Sequence, residues 1–407
     1  MRFKLYKPTD IPSELLCAVI MLAALFGNLS PKMGLLGNCI GLFFAAIVML
    51  DCVKEKRIRL IVWILFAGSL VLGVYNVMFV GQHAFQKYVI TGVTFFAVGL
   101  YFNVVETLDY RLWRFVFVVS MAFIMFNWLR SPDGYMLFYQ QGRNYVSIFL
   151  LVYLMPMVAA AEKNRITIWI GYYVLIVLCT ISAVGRGGIV CAMALLAAVA
   201  VYRLLIDERL SVRQKFLNIS LCGVMAVAGG IVLFRYWDRI AGRFLSRFVQ
   251  DNTGSDNSRL KILTGYIDSV DSWPKLLLGS NSRDIPYLAQ WLGNIHNSYL
   301  MTHAAYGLIG AAVLIVGLVA SVVLLIRSGR IELGILIAVI AARGAIDTIF
   351  MAKPGDAVAW FCMIYTFAKI FSTRKVYFFV NKGLERGEEG ATLQAVRARR
   401  VGPQAEG

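Results

Sequence analysis

Four places along the chain put charged or proton-transferring side chains where an otherwise apolar sequence has to accommodate them. Arg343 and Asp347 stand four residues apart inside an apolar run. On a helix that is one turn, so each charge neutralises the other where an isolated charge at membrane depth is costly. Such a pair serves structure as readily as it serves a substrate. Arg186 sits between two apolar runs in Ala183-Val184-Gly185-Arg186-Gly187-Gly188. Its glycines permit an unusual backbone and let a ligand approach the peptide N–H groups. A short turn with a snorkelling arginine fits the same residues. Ser258-Arg259 follows a polar loop and opens a helix-like stretch, 259–272, with Asn257 or Ser258 as its cap. A cation in a first helical turn opposes the helix dipole. An anionic ligand would explain Arg259 there, and so would simple exposure on a loop.

The histidines are His83, His296 and His303. His296 and His303 are seven apart and share a face if one helix includes both. At a helix start a histidine serves as base, hydrogen-bond donor or cap. A cap or a packing role is the better expectation for His303, while His296 stays open. Arg130 and Arg143 flank a loop over 130–143 and are placed to approach an anion. Arg235, Arg239, Arg243 and Arg247 recur every four residues among Tyr236, Trp237, Phe244 and Phe248. They predict an amphipathic helix lying in an interface, with anchoring favoured over substrate binding.

The elements that must position these residues follow from composition. Of the 407 residues 59% are hydrophobic and 15% charged, with a mean hydropathy of +0.70. Soluble domains carry about 25% charged residues. This composition excludes a soluble globular enzyme, a disordered protein and a nucleic-acid-binding domain. It predicts an all-α polytopic membrane protein. Apolar runs long enough to cross a bilayer lie at 11–29, 33–51, 60–80, 88–104, 112–129, 144–161, 166–183, 187–203, 216–234, 299–326, 331–349 and 357–372.

The net charge of +17 reads as orientation. Lysines and arginines collect in alternate loops, at Lys54–Arg59, Arg111 and Arg114, Lys163 and Arg165, Arg203–Lys215, Arg327 and Arg330, and the tail. By the positive-inside rule both termini are cytoplasmic. Segment 235–298 carries eight Lys/Arg on the outer side, and long loops cross largely regardless of charge. Four regions result: spans 1–9 over 1–234, a long outer loop over 235–298, spans 10–12 over 299–372, and a tail over 373–407. Within that tail, 381–407 is expected to be disordered. The first span is expected to be uncleaved. The seven cysteines fall in or beside spans, so no disulfide framework is implied. No residue spacing suggests a metal site.

The ordered set Ser182-Ala-Val-Gly-Arg186-Gly-Gly, Ser258-Arg259, Leu278-Gly279, His296-Asn297-Ser-Tyr-Leu300 and Gly307-Leu-Ile-Gly310 resembles the bacterial O-antigen ligase and O-antigen/exopolysaccharide polymerase superfamily. The resemblance covers roughly 140–350. It implies a GT-C-like membrane fold in the inner membrane, with the active site toward the periplasm. It further implies an undecaprenyl-diphosphate-linked glycan donor, a saccharide acceptor, and no cofactor or metal. Carried over to these positions, Arg186 and Arg259 bind the donor diphosphate, with Arg143 beside them, and His296 serves the reaction centre. Arg343, Asp347 and Asn297 are placed on the acceptor side or in a structural role.

Gln141-Gly-Arg143-Asn144-Tyr145-Val-Ser147 is similar to the Asn-Tyr-x-Ser pattern of the polymerases. Many ligases carry a second histidine where this chain has Ile295. A repeat-unit polymerase is therefore expected, with an O-antigen ligase acting on lipid A–core as the alternative. A polysaccharide flippase is the rival without chemistry. It would need a polar path through the midplane, whereas the charges here gather at one face.

Overall fold

The computed structural model describes residues 11–55, 60–80, 85–130, 136–138, 141–183, 185–207, 210–217, 219–220, 223, 255–289, 293–350 and 353–371. It is a helical bundle. The first half holds α1 (Ile11–Phe26), α2 (Pro31–Glu55), α3 (Leu60–Tyr75), α4 (Phe85–Val104), α5 (Tyr110–Arg130), α6 (Asn144–Asn164), α7 (Gly171–Ser182) and α8 (Arg186–Leu205). Next come the short α9 (Ser255–Ser269), α10 (Trp273–Leu278) and α11 (Pro286–Ala289). Three more close the bundle: α12 (Ser298–Arg327), α13 (Ile331–Ile346) and α14 (Asp356–Ile370).

Six of the described helices are long and apolar enough to cross a membrane, among them Pro31–Val53, Asn144–Asn164 and Ser298–Arg327. Helix bounds fall close to the apolar runs in the sequence, with two departures. The run 166–183 is helical only over Gly171–Ser182. Arg165 ends α6 in the left-handed region, and its N–H reaches back to Ala161 O and Glu162 O, which turns the chain before it can enter another helix. The loop 130–143 contains a small antiparallel hairpin, β1 (Met136–Phe138) with β2 (Gln141–Gly142). The ninth run, the arginine stripe 235–247 and the tail 381–407 lie outside the described residues, apart from the fragments 216–217, 219–220 and 223 of the ninth run.

The core gathers around α6. Of its apolar stretch 94% is buried, against 17% for Pro31–Val53 and Leu60–Val80. Helices α5, α7, α8 and α13 pack on it, while α1, α2, α4 and α14 form a second group. A helix that is apolar all round belongs in such a position. The exposed apolar side chains on the outer helices, such as Leu35, Phe43, Val71 and Phe115, match a lipid-facing rim.

Buried polar ties mark the two ends of the bundle. At one end Arg203 donates to Glu332 Oε1 at 2.6 Å, and Tyr173 donates to the same oxygen. At that end Glu14 also accepts from Trp113 Nε1 at 2.7 Å. The opposite end holds the α6, α8, α12 and α14 N-termini, and the residues singled out in the sequence meet there.

Two glycines explain a close approach at that end. Gly307 interrupts α12 with φ +66°, and a Cβ there would lie 2.0 Å from Leu277 O. Gly279, at φ +96°, would put a Cβ 2.5 Å from Ala304 O. A side chain at either position is excluded by backbone, so α10 seats directly in the α12 kink.

Candidate functional site

Asp347 is the hub. It follows α13 directly in an extended conformation and is 2% exposed. Its Oδ2 accepts from Arg343 Nη2 at 3.2 Å. Its Oδ1 accepts from the Thr348 N–H at 3.0 Å and faces His296 Nδ1 at 3.5 Å. The Arg343 guanidinium and the Thr348 N–H both favour the ionised carboxylate. The pairing of Arg343 with Asp347 anticipated from spacing is present. The histidine that joins them comes from a distant part of the chain.

His296 sits just before α12, at φ +53°, in the left-handed region. Its own N–H donates to Asn294 Oδ1 at 3.0 Å, and that oxygen also accepts from Thr348 Oγ1 at 2.7 Å. A non-glycine residue held there is strained, and strain of this kind gathers at functional sites. A histidine whose Nδ1 faces a carboxylate in this way can offer Nε2 as a proton acceptor, the arrangement a general base requires. Helix α12 begins after His296, so His296 and His303 do not share one helix face. Instead His303 Nε2 donates to Leu276 O at 2.8 Å, and its Nδ1 accepts from Tyr266 Oη at 2.7 Å. His303 thus ties α9 and α10 to α12, the packing role expected for it.

Asn297 caps α12. Its Oδ1 accepts from the Tyr299 and Leu300 N–H groups at 2.9 and 3.1 Å, and its Nδ2 donates to Ala345 O at 3.0 Å. Of the two roles considered for Asn297, these bonds describe the structural one. Ser298 was not singled out in the sequence. Its Oγ donates to Asp347 O and accepts from the Ile349 N–H, each at 2.8 Å, pinning the connection after α13 to the start of α12.

The guanidinium of Arg343 is 1% exposed, and its Nε and Nη1 have no hydrogen-bond partner among the described residues. Its Nη2 also points to Asn144 O at 3.5 Å. A Cβ on Gly187 would lie 3.5 Å from Nη1, in ordinary contact, so the residue after Arg186 packs beside the guanidinium. Gly188 lets α8 press on Ser147 of α6, and Gly185 lies against Asn144. The starts of α6 and α8 therefore stand beside Arg343. Neither carries a side-chain cap, which leaves first-turn N–H groups and the positive dipole ends facing this region.

The remaining arginines divide. Arg143 and Arg186 lie at these two helix starts. Arg130 is exposed, with its guanidinium 5.2 Å from the Phe126 ring centroid, and takes no part in the cluster. Arg259 lies on α9, but its side chain is outside the described residues. The expected cap at Asn257 or Ser258 is corrected: α9 already begins at Ser255, so both residues are in its first turns. The Asp-Asn-Ser run can enter a helix as well as precede one. Among the described residues no group of His, Cys, Asp or Glu has metal-binding geometry.

Two cavities flank the cluster. An apolar cleft of about 240 Å³ runs between α3, α4, α12 and α14, past Leu72, Ile309 and Trp360 to Thr302 and Asp356. A more polar pocket of about 430 Å³ lies between α1, α2 and α4, lined by Asn28, Asn38, Thr94, Gln141 and Lys353. Tyr145 touches both regions: it bonds Asn294, and Lys353 Nζ stands 4.5 Å from its ring centroid. Sequence reasoning passed over Asn294, Tyr145 and Lys353 as site residues. The polar run Asn294–Ser298 was the available signal for the first. No family model matches the chain, and a search of curated proteins finds no match.

Proposed function

We propose that the chain is a multi-pass membrane glycosyltransferase. In this reading it moves a glycan from an undecaprenyl-diphosphate-linked donor to a sugar hydroxyl at the outer face of a bacterial inner membrane. The observation that carries the reading is the buried Arg343 guanidinium, with two N–H positions unpartnered, beside the His296–Asp347 pair. A cation to receive the departing diphosphate and a proton acceptor for the attacking hydroxyl are the two things that this displacement requires.

In that reaction the acceptor hydroxyl oxygen attacks the anomeric carbon. Its proton passes to His296 Nε2. The bond from the anomeric carbon to the diphosphate oxygen breaks, and its electron pair leaves with the diphosphate. A single displacement inverts the anomeric centre. Asp347 holds the imidazole and stabilises the imidazolium. Arg343, Arg186 and the uncapped starts of α6 and α8 answer the charge that develops on the leaving group. The resemblance assigns Arg259 to the same anion, and Arg143, at the start of α6, joins it from the loop over 130–143. The apolar cleft beside α3 and α12 suits a polyprenyl tail entering from the bilayer. A GT-C-like arrangement of twelve spans with cytoplasmic termini accompanies this reading.

The test is purified protein in liposomes with a lipid-linked repeat unit. A new glycosidic bond supports the enzyme, and movement of unchanged donor means a flippase. His296→Ala and Arg343→Ala should each nearly abolish transfer, and Arg343→Lys should restore only part, because an ammonium lacks the guanidinium's fork. Full activity of His296→Ala would overturn the assignment. A repeat-unit polymerase is favoured over a ligase by the Asn144-Tyr145-Val-Ser147 run, which borders the cluster. Deleting the gene should leave a single repeat unit on lipid A–core. Bare core with long glycan retained on the carrier would mean a ligase.

A further inference from the structure

The pocket between α1, α2 and α4 takes no part in the displacement just described, yet it is built for a polar ligand. It is lined by amide and hydroxyl side chains: Asn28, Asn38, Thr91, Thr94 and Gln141. Gln141 donates through Nε2 to Asn28 Oδ1. Asn28 in turn donates through Nδ2 to Ala24 O at 2.6 Å, so the pair is held in one orientation. Gln141 is 7% exposed, and its Oε1 has no hydrogen-bond partner among the described residues. A buried amide oxygen without a partner is costly, and a ligand O–H would satisfy it.

Lys353 is the one charged side chain among the described lining residues, and the Asp347 and Asp356 carboxylates act on it from outside that lining. A single ammonium is a point charge with three donors and suits a monoanion. A phosphate monoester dianion is usually met by arginine forks, and the described lining holds no arginine. Phe95 adds an aromatic wall, against which the C–H face of a sugar ring packs. The volume of about 430 Å³ lies in the range of small-ligand sites.

We infer that this pocket binds an acidic sugar, a hydroxyl-rich ring bearing one carboxylate, with Lys353 on the carboxylate and Gln141 Oε1 accepting from a ring hydroxyl. The inference rests on the proposed transfer reaction for its biological sense, since it names a residue of the glycan being handled. Tyr145 touches Lys353 of this pocket and Asn294 of the His296 cluster, so the pocket adjoins the reaction centre proposed above.

Binding is measured without any lipid-linked donor, which keeps this test apart from the test of transfer. The full chain in lipid nanodiscs is titrated calorimetrically with a glucuronate-containing disaccharide and with its carboxyl-reduced counterpart. The acidic form should bind roughly tenfold tighter, equivalent to about 1.4 kcal/mol. This comparison needs no variant. Lys353→Met should erase the preference, Lys353→Arg should keep it, and Gln141→Leu should weaken both ligands. His296→Ala should bind both as the parent chain does, even if transfer is lost. Equal affinity for the two disaccharides, failure of either to bind, or a preference that survives Lys353→Met would overturn the inference. Displacement of the acidic disaccharide by inorganic phosphate at lower concentration than by free glucuronate would also overturn it, making this an oxyanion site.

Discussion

Replacing Asp347 with asparagine tests the hub at the bundle end. The substitution keeps the shape and an oxygen for the Thr348 N–H, now at 3.0 Å, so little volume is disturbed. What it removes is the one carboxylate that pairs with Arg343 among the described residues, where that arginine, 1% exposed, already lacks partners at Nε and Nη1. Taking one member from a buried ion pair costs about 3–5 kcal/mol, because the other charge stays buried. Unfolding in mixed detergent micelles, followed by tryptophan fluorescence, should show a loss of that size. The same variant gives a second readout. An anion that binds beside Arg343 restores a counter-charge, so pyrophosphate should stabilise Asp347→Asn. Saturation at a hundred times Kd would return about 2.7 kcal/mol.

A loss under about 1 kcal/mol, the worth of an exposed pair, together with no pyrophosphate effect, would refute the reasoning.

Other outcomes follow from single contacts. Gly307→Ala places a Cβ 2.0 Å from Leu277 O at φ +66°. The left-handed backbone costs about 1–2 kcal/mol and the overpacking about 1–3 more, so thermal unfolding should shift strongly. Gly68→Ala, with open space around it, should leave the transition nearly unchanged. His303→Phe removes the bonds to Tyr266 and Leu276 at about 1–3 kcal/mol. Hydrogen exchange should quicken in α9 and α10 before it does in α6. Burial pushes the Lys353 ammonium down to about 8, against the pull of Asp347 and Asp356. Its acetylation by acetic anhydride, read by mass spectrometry, should therefore rise with a midpoint near 8. A midpoint at the ordinary lysine value of 10.5 would show the side chain to be solvated.

The sequence exposes the helices more readily than it exposes their meeting points. Apolar runs announce α2, α6 and α12 because length and composition are local properties, legible one stretch at a time. Arg343 and Asp347 were legible for the same reason, four residues apart on one helix turn. Their meeting with His296 was not, since 51 positions separate His296 from Asp347 and only packing brings them together. Asn144 and Arg343, 199 positions apart, are a stronger case. Gly279 and Gly307 stood out as part of an ordered set of motifs, but nothing in the order says that each makes room for the backbone beside the other. Lys353 was passed over because a lone lysine in a short connection has no periodicity to mark it. The pocket it lines is made by helices from the far end of the sequence.

The enclosure of α6 has a consequence for how the chain is made. In the finished bundle this helix has almost no lipid contact, so its apolar character does not serve the folded state's surface. It serves the moment of synthesis, when the segment must partition from the translocon into the bilayer before its neighbours exist. Helices α7 and α8 follow soon after it, but α13 lies well over a hundred residues downstream. Until α13 arrives, one flank of α6 rests against lipid or a chaperone, and the starts of α6 and α8 await the arginine that lies beside them in the bundle. Completion of this end is thus a late, post-insertional event. A chain stopped after α12 would carry an inserted yet unfinished bundle, a ready substrate for membrane proteases.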